Sequence, residues 1–213
     1  MYTAIEKNVP EGYSKGYNNL SVSNSHTPET TSVELKKVWD DNHNQDGKRT
    51  ENVTLTLYKQ IEGGTKTKVA DYTYTDIGDE WVKTVENLPK YESGKLITYT
   101  ADETTVPSGY TKSVDGLTVT NSYTSETASI TLTKKWADGS NQDGKRPANV
   151  TLTLYKQVEG GEKAKVDDYT FNGTGNEWTK TIDNLPKYEG GKLITYTVDE
   201  LTTNVPEGYT KSV

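Results

Sequence analysis

The feature that most constrains this chain is an internal repeat. Two stretches, residues 32–103 and 129–200, match at about two thirds of their positions, in register at a spacing of 97 residues. A third, partial copy opens the chain, because residues 2–27 align with residues 99–124 at the same spacing. This period is longer than the roughly 20–50 residues of a solenoid unit and matches a small domain. The chain is therefore predicted to be a tandem array of domains.

Composition favours folded β domains over disorder, although only 31% of the residues are hydrophobic. The chain contains 15 tyrosines and 4 tryptophans, and these recur at fixed repeat positions, which a solvated polar tract does not need. The net charge of −7, without a basic patch, argues against nucleic acid as a partner. No apolar run approaches the roughly 20 residues of a membrane span. The sequence has no cysteine, so disulfides cannot stabilise it.

Short alternating segments predict β-strands separated by turns. Apolar and polar residues alternate between clusters of Gly, Pro, Asn and Asp. Strands spaced in this way predict an all-β class built from tandem sandwiches. The strands predicted in the first full repeat are residues 32–39, 53–59, 68–74, 81–85, 97–103, 110–114 and 117–123. The predicted turns are NQDGK (44–48), EGG (62–64), IGD (77–79) and SVDGL (113–117).

The repeat boundaries predict three parts. Residues 1–28 correspond to the last strands of a preceding repeat, residues 29–125 to a complete domain, and residues 126–213 to a domain without its last strand. Short linkers, TPETT (27–31) and TSET (124–127), are predicted before the two repeats. A wall-sorting signal is not found, so any anchor is expected outside this segment.

Alternation places three polar residues on apolar strand faces. Lys37 shares a face with Leu35 and Trp39, and Glu103 and Asn121 lie on the apolar faces of two later strands. An isolated buried charge is costly, and desolvation lowers the pKa of lysine and raises that of glutamate. A neutral amine beside a carboxamide, with a carboxyl to move protons, is the chemistry of isopeptide formation. The alternative is a lysine that reaches water, a solvated glutamate and an asparagine bonded to backbone.

Motifs along nearly the whole chain resemble one family. The chain is similar to the Cna-B repeat domains found in adhesin stalks and pilins of Gram-positive bacteria. The motifs that carry this resemblance are KVWDDNHNQDGKR (37–49), NVTLTLYK (52–59 and 149–156), ITYTADE (97–103), VPxGY (106–110 and 205–209) and TVTNSYT (118–124).

The resemblance implies a fold and a cross-link. The fold is an immunoglobulin-like sandwich of inverse, transthyretin-like (prealbumin-like) topology. In such domains the matching lysine and asparagine, here Lys37 and Asn121, form an isopeptide bond with the help of the matching glutamate, here Glu103. In the second repeat, Lys134 and Glu200 match, whereas the position of the partner asparagine lies past residue 213.

The incomplete copies predict strand exchange between molecules. The second repeat lacks its last strand, whereas the leading segment carries one at residues 20–26, with Asn24 at the asparagine position. An open edge beside a matching strand favours exchange, in which Lys134 of one molecule bonds Asn24 of another. The alternative is that the leading segment is frayed.

Three classes of function follow. The first is a structural stalk of a surface protein, anchored to the cell wall, that holds an adhesive domain away from the cell. The second is a multivalent binding module for a host matrix protein or glycan. An enzyme acting on a separate substrate is not expected, because the only chemistry indicated is internal and occurs once. The partners expected are neighbouring repeats, further copies of the chain, and a matrix ligand of the parent protein.

Other motifs give weaker signals. DDNHNQDG (40–47) superficially resembles a calcium loop, but its glycine falls late and no glutamate closes it, so a turn is predicted. His26 and His43 have no counterpart in the second repeat. Trp39 and Trp136 are predicted in the core. For Trp81 and Trp178 two positions stay open, one in the core and one in a carbohydrate-binding groove. We expect no cofactor and no metal.

Overall fold

The alternating segments of the first full repeat form two four-stranded sheets in the computed structural model, which describes residues 2–75 and 78–213. A hairpin of two strands precedes them. The strands in chain order are β1 (Ser14–Asn18), β2 (Ser21–Ser25), β3 (Thr30–Asp40), β4 (Val53–Ile61), β5 (Thr67–Tyr74), β6 (Glu80–Pro89), β7 (Tyr91–Glu92), β8 (Lys95–Asp102), β9 (Thr111–Asp115) and β10 (Thr118–Ser122). The sheet orders are β6-β3-β10-β9 and β5-β4-β8-β7.

The second repeat forms the same strands up to the position of β8. Its strands are β11 (Thr127–Lys135), β12 (Val150–Val158), β13 (Lys163–Phe171), β14 (Glu177–Pro186), β15 (Tyr188–Glu189) and β16 (Lys192–Asp199). One sheet is four-stranded with the order β13-β12-β16-β15, and the other is the pair β11-β14. A single 3-10 turn, Thr202–Asn204, follows. Among the described residues, the edge of β11 that corresponds to the β10 side of β3 is therefore open.

The core of the first sandwich joins its two sheets. Tyr74 of β5 donates from its hydroxyl to the backbone carbonyl of Leu35 on β3 at 3.3 Å, and its ring stacks on Trp81 at 5.7 Å. Burial raises the pKa of Tyr74 to about 12, so this hydroxyl keeps its proton. Period-two alternation supplies the remaining inward residues, among them Leu55 and Val119.

The second sandwich has its own core around Trp136. The Trp136 ring meets Trp178 edge-on at 5.2 Å and Tyr209 at 5.2 Å. Leu132 and Leu152 are buried in the same cluster. Aromatic residues compensate for the low aliphatic content of this sequence, because each aromatic side chain buries a large area.

The predicted all-β sandwich class is confirmed, and each strand predicted in the first repeat overlaps an observed one. The turn predicted at residues 77–79 begins at Ile77, which lies outside the described residues. Over the described part of the chain, no helix has the length and apolar character needed to cross a membrane.

Contacts divide the chain into two compact units. The first holds the residues up to Val38, Glu51–Val106 and Lys112–Thr120, and the second holds Trp39–Thr50, Pro107–Thr111 and Asn121–Val213. The domain boundaries derived from the repeats, after residues 28 and 125, stay predictions.

Candidate functional site

Strand β3 carries a lysine into the core of the first sandwich. Leu35, Lys37 and Trp39 are its consecutive inward positions, and all three are buried. The Nζ of Lys37 lies 3.2 Å from Oε2 of Glu103, with both side chains 0% exposed. The same Nζ donates to the backbone carbonyl of Val38 at 3.4 Å. An amine and a carboxyl thus meet out of contact with solvent.

Glu103 directly follows β8, and neighbouring charges anchor its backbone. Lys112 donates from Nζ to the backbone carbonyl of Glu103 at 2.7 Å and to Oδ1 of Asp102 at 2.5 Å. Partial burial raises the pKa of Asp102, but the hydrogen bond and charge of Lys112 outweigh it and hold that pKa below its usual value. These contacts fix the strand end at which the Glu103 side chain turns inward.

The neighbour of β3 in the sheet is β10, and the two strands run parallel. The backbone N–H of Lys36 donates to the carbonyl of Leu117 at 3.0 Å. Further along, the N–H of Tyr123 donates to the carbonyl of Asp40 at 2.9 Å. Both residue numbers increase together between these bonds, which is the parallel pattern.

This register puts Asn121 level with Trp39, on the face to which Lys37 also points. The Asn121 side chain is 0% exposed. Lys37, Glu103 and Asn121, the residues predicted from the sequence, are therefore all buried polar groups in the first sandwich. Their chemical roles stay predictions.

The second repeat reproduces the amine and the carboxyl beside an open edge. The Nζ of Lys134 lies 2.7 Å from Oε2 of Glu200, and the lysine side chain is 15% exposed, compared with 0% for Lys37. Lys134 also lies 4.6 Å from the centroid of the Trp136 ring. Within the described part of the chain, the other carboxyl oxygen of Glu200, Oε1, is buried without a hydrogen-bond partner.

The leading segment holds the complementary pair on its hairpin. Asn24 of β2 donates from Nδ2 to Oε1 of Glu6 at 2.9 Å. Asn24 is exposed, and it pairs across the hairpin with Lys15 of β1. The carboxamide and carboxyl positions of the repeat are thus adjacent in the leading segment.

A recurring lysine was missed by the sequence reasoning. Lys15, Lys112 and Lys211 each donate to the backbone carbonyl of the site glutamate of their own copy, at 3.2, 2.7 and 2.5 Å. All three follow the glycine–tyrosine pair of the VPxGY motif by two residues. That constant spacing was the available signal. The role of this lysine depends on a contact between separate strands, which the alternation of apolar and polar residues does not reveal.

The loop after β3 is closed by an aspartate and an arginine. Arg49 donates from Nε to Oδ2 of Asp41 at 2.8 Å and from Nη2 to Oδ1 at 2.5 Å. Tyr110 donates its hydroxyl to Oδ2 at 2.7 Å. Burial raises the pKa of Asp41, but the hydrogen bonds from Arg49, Tyr110 and the backbone of Asn44 together hold it below its usual value.

The second repeat builds the same closure from Asp138, Arg146 and Tyr209. Arg146 binds both carboxylate oxygens of Asp138, and Tyr209 donates to Oδ2 at 2.9 Å. The hydrogen bond from Arg146 is the main reason that the pKa of Asp138 is strongly lowered. The DDNHNQDG segment is therefore a turn in which an arginine binds the first buried aspartate.

The tryptophans and histidines that the sequence brought forward as possible binding residues have structural positions. All four tryptophans, including Trp81 and Trp178, are buried, so none offers a face for a glycan. His26 packs against Tyr13 with ring centroids 5.1 Å apart. His43 takes a left-handed backbone conformation, with φ of 58°, inside the turn.

Comparison with known proteins gives a consistent set of matches. The sequence model of the family described as "Cna protein B-type domain" matches residues 33–122 and 130–213. The collagen adhesin of Staphylococcus aureus is 41% identical over 209 residues, covering 98% of this chain. The chain spans only 16% of the length of that relative.

Two solved structures are also similar in sequence. The first contains two B repeat units of the collagen-binding protein of Staphylococcus aureus; it is 38% identical, with 94% of this chain and 51% of that chain covered and a TM-score of 0.45. The second contains a single B repeat unit; it is 40% identical, with 85% and 90% covered and a TM-score of 0.38.

Proposed function

We propose that this chain, which belongs to the family of Cna protein B-type domains, forms stalk repeats that hold an adhesive domain away from a bacterial cell wall and that are locked by lysine–asparagine isopeptide bonds. The observation that carries the proposal is the fully buried pair of Lys37 and Glu103, beside the strand that bears the buried Asn121. Lysine and glutamate are almost never fully buried unless they are paired, and a buried pair of titratable groups beside a carboxamide is a candidate for a functional site.

The chemistry requires only these three side chains. Exclusion from water disfavours both charged forms, so Glu103 takes a proton and leaves Lys37 as a neutral amine. The Nζ attacks Cγ of Asn121 and forms a C–N bond, while the carbonyl oxygen takes up negative charge. Glu103 passes a proton to the departing amide nitrogen, the C–N bond to that nitrogen breaks, and the Glu103 carboxylate takes back the extra proton of the attacking Nζ. One ammonia leaves, one amide forms, and no oxidant or cofactor is consumed.

This reaction would occur once for each lysine–asparagine pair, so we propose no enzymatic action on a separate substrate. The proposed role of the resulting bond is mechanical. The bond would join β3 to β10, the first and last strands of the sandwich, and force applied to the two ends would be carried by covalent bonds. It also closes a loop of about 85 residues, which in chain-entropy terms stabilises the folded state by about 4–5 kcal/mol.

The relative gives the setting of the proposal. It is named a collagen adhesin, and by analogy we place this chain at the cell surface of a Gram-positive bacterium, between an adhesive domain and a wall anchor. Repeats that match at about two thirds of their positions suit a spacer, because length then grows by simple duplication. The alternative is multivalent binding of a host matrix protein or glycan by the repeats themselves.

A second cross-link is proposed between molecules. The open edge of the second sandwich borders a groove of about 1360 Å³, lined by Lys134, Trp136, Glu200 and Tyr209 among others. Strand β2 (SVSNS) occupies the repeat position of β10 (TVTNS) and carries Asn24. Strand β2 of one copy would fill the groove of another, where Lys134 and Glu200 would act on Asn24. Successive additions would give head-to-tail polymers.

The test is the mass of the denatured chain and of its peptides. A monomer lighter than the sequence by one ammonia, with a branched peptide that joins Lys37 to Asn121, supports the proposal. A full-mass monomer contradicts the cross-link. Binding of the repeats to immobilised collagen or to a glycan array decides between a spacer and a binding module.

A further inference from the structure

The loop Gln45–Gly47 of the first repeat forms hydrogen bonds with the segment that leads into the second repeat. The Asp46 side chain is buried, and its Oδ2 accepts the backbone N–H of Glu126 at 2.8 Å and the hydroxyl of Tyr123 at 3.0 Å. Gln45 donates from Nε2 to the carbonyl of Glu126 at 3.4 Å. All of these residues belong to one compact unit. One carboxylate thus holds both the last side chain of the first repeat and the first strand of the second.

The same loop also meets the turn between β15 and β16. The backbone N–H of Gly191 donates to the carbonyl of Gln45 at 3.1 Å. A Cβ placed on Gly47 would lie 2.5 Å from the Cα of Gly191, closer than any real contact of that kind. Both glycines have positive φ, 64° and 78°. A side chain at Gly47 is therefore disfavoured twice, by space and by backbone conformation, whereas one at Gly191 would be strained by its backbone conformation and tightly packed, with its Cβ 3.1 Å from the Cα of Gly47.

We infer that this contact is a joint repeated along the array, in which the NQDG loop of each repeat docks on the entry strand and β-turn of the next repeat. The inference is independent of the isopeptide bonds. Its partner is a further B-type repeat of the same kind. Both halves of the joint recur in this chain, the loop in the second repeat and the receiving surface in the first.

The docking loop recurs in the second repeat. Residues 141–146 read NQDGKR, as do residues 44–49. Arg146 and Asp138 hold this loop as Arg49 and Asp41 hold the first. Asp143, the counterpart of Asp46, is exposed, as expected for a loop presented to a following repeat.

The receiving surface recurs in the first repeat. Lys90 pairs with Glu29 at 2.7 Å, as Lys187 pairs with Glu126 at 2.7 Å. The turn Ser93–Gly94 has positive φ at both residues, 53° and 74°, and matches the turn Gly190–Gly191. The first repeat therefore presents the surface on which the loop of a preceding repeat would dock.

Two sequence differences distinguish the start of the first repeat from the observed joint. His26 occupies the repeat position of Tyr123, at the end of the repeat that would supply the loop, and Ser93 occupies the position of Gly190 in the receiving turn. An imidazole can still donate to a carboxylate, and the glycine in direct contact, Gly191, is kept as Gly94. The loop of a preceding repeat therefore finds the same kinds of donors there.

The test compares two aspartates that occupy the same repeat position. In the full chain, Asp46→Ala should increase the amide hydrogen exchange of Glu126 and Gly191 at least tenfold and broaden the distance distribution between the two sandwiches in small-angle scattering. Asp143→Ala in the same chain should change neither. Unchanged exchange at Glu126 in Asp46→Ala, or an equal effect of Asp143→Ala, would overturn the joint.

The repeated character of the joint needs a longer array. In a chain that continues past Val213 through one further repeat, Asp143→Ala should loosen the new joint and leave the exchange of Glu126 unchanged. If Asp143→Ala still has no effect in that longer chain, the contact is particular to the first pair of repeats. Gly47→Ala should reproduce the loosening caused by Asp46→Ala, because it acts on the turn contact and leaves the carboxylate in place.

Discussion

The Nζ of Lys37 lies 3.2 Å from Oε2 of Glu103, and neither side chain is exposed. A buried ion pair adds little net stability, because the desolvation of both charges offsets their attraction. Lys36, one residue earlier, takes the ordinary position for a strand lysine and pairs with the exposed Glu80 at 2.7 Å. Stability alone does not explain the burial of Lys37, whereas the proposed reaction with Asn121 would require it.

Lys37→Ala should prevent the cross-link and lower the free energy of unfolding of the first sandwich. An amide that closes about 85 residues is worth about 4–5 kcal/mol, and the variant loses it. The measurement is urea unfolding followed by tryptophan fluorescence, with intact mass recorded on the same samples. Lys36→Ala is the matched control, because its side chain points outward from the same strand. Equal stability of the two variants would contradict the proposed bond.

Glu103→Gln should slow formation of the bond while leaving the amine and the carboxamide in place. General acid–base groups contribute about 10²–10⁴ to such steps. The measurement is the rate at which the mass of one ammonia is lost after refolding of freshly made, unlinked protein. Glu34→Gln, an exposed glutamate on β3, is the control and should leave the rate unchanged. A Glu103→Gln protein that matures at the rate of the unchanged chain would exclude the role assigned to this carboxyl.

Multimers that resist boiling in detergent should appear at high protein concentration and grow with time. Asn24→Ala and Lys134→Ala should each abolish them, since each removes one reacting atom. Glu200→Gln should slow them. Asn121→Ala should leave the multimers but abolish the loss of ammonia from the first sandwich of each chain. This result would distinguish the cross-link within a chain from the cross-link between chains. A monomer at all concentrations in light scattering would contradict strand exchange.

The strand pattern and the inward lysine could be predicted because both depend on local alternation. The contacts that surround them could not. The donation of Lys112 to the carbonyl of Glu103 joins residues of different strands, and nothing in either segment alone indicates it. The two-residue strand β7 was also missed, since Tyr91 and Glu92 are too few to show a period.

The docking role of the NQDG loop could not be predicted from the sequence either. The sequence predicts a turn at residues 44–48, and the structure has one. Asp46, however, accepts the backbone N–H of Glu126 at the entry to the next repeat, 80 residues away, as well as a hydrogen bond from Gln45 in its own loop. Repetition shows that the loop is shared by both repeats, but only the fold shows what it touches.

Stability of the first sandwich should fall in acid through Asp41. The pKa of this buried carboxyl is depressed by the hydrogen bonds of Arg49 and Tyr110, which outweigh its burial. Its contribution is therefore complete above its unfolded pKa of about 3.9 and is lost as the pH falls through the lower folded value. Melting temperature measured from pH 7 to pH 2 should show this loss.

Asp41→Asn should remove part of that acid dependence and lower stability at pH 7 by about 3–5 kcal/mol, since it leaves the Arg49 charge buried without its partner. Asp40→Asn, at the exposed neighbouring position, is the control and should keep the pH profile. A profile that is identical for Asp41→Asn and the unchanged chain would place the acid sensitivity elsewhere.

Single-molecule force spectroscopy should show whether a covalent bond between Lys37 and Asn121 carries the applied force. If Lys37 is bonded to Asn121, the roughly 85 residues between them cannot extend, and the first sandwich should release almost no length. In Lys37→Ala the same residues become free, and at about 3.4 Å each they should add about 290 Å of contour length when the domain unfolds. Lys36→Ala should behave as the unchanged chain does, because its amine is on the outward face. An unfolding step of about 290 Å in the unchanged chain would mean that hydrogen bonds alone hold β3 to β10, and the stalk would then extend under load like an ordinary immunoglobulin-like array.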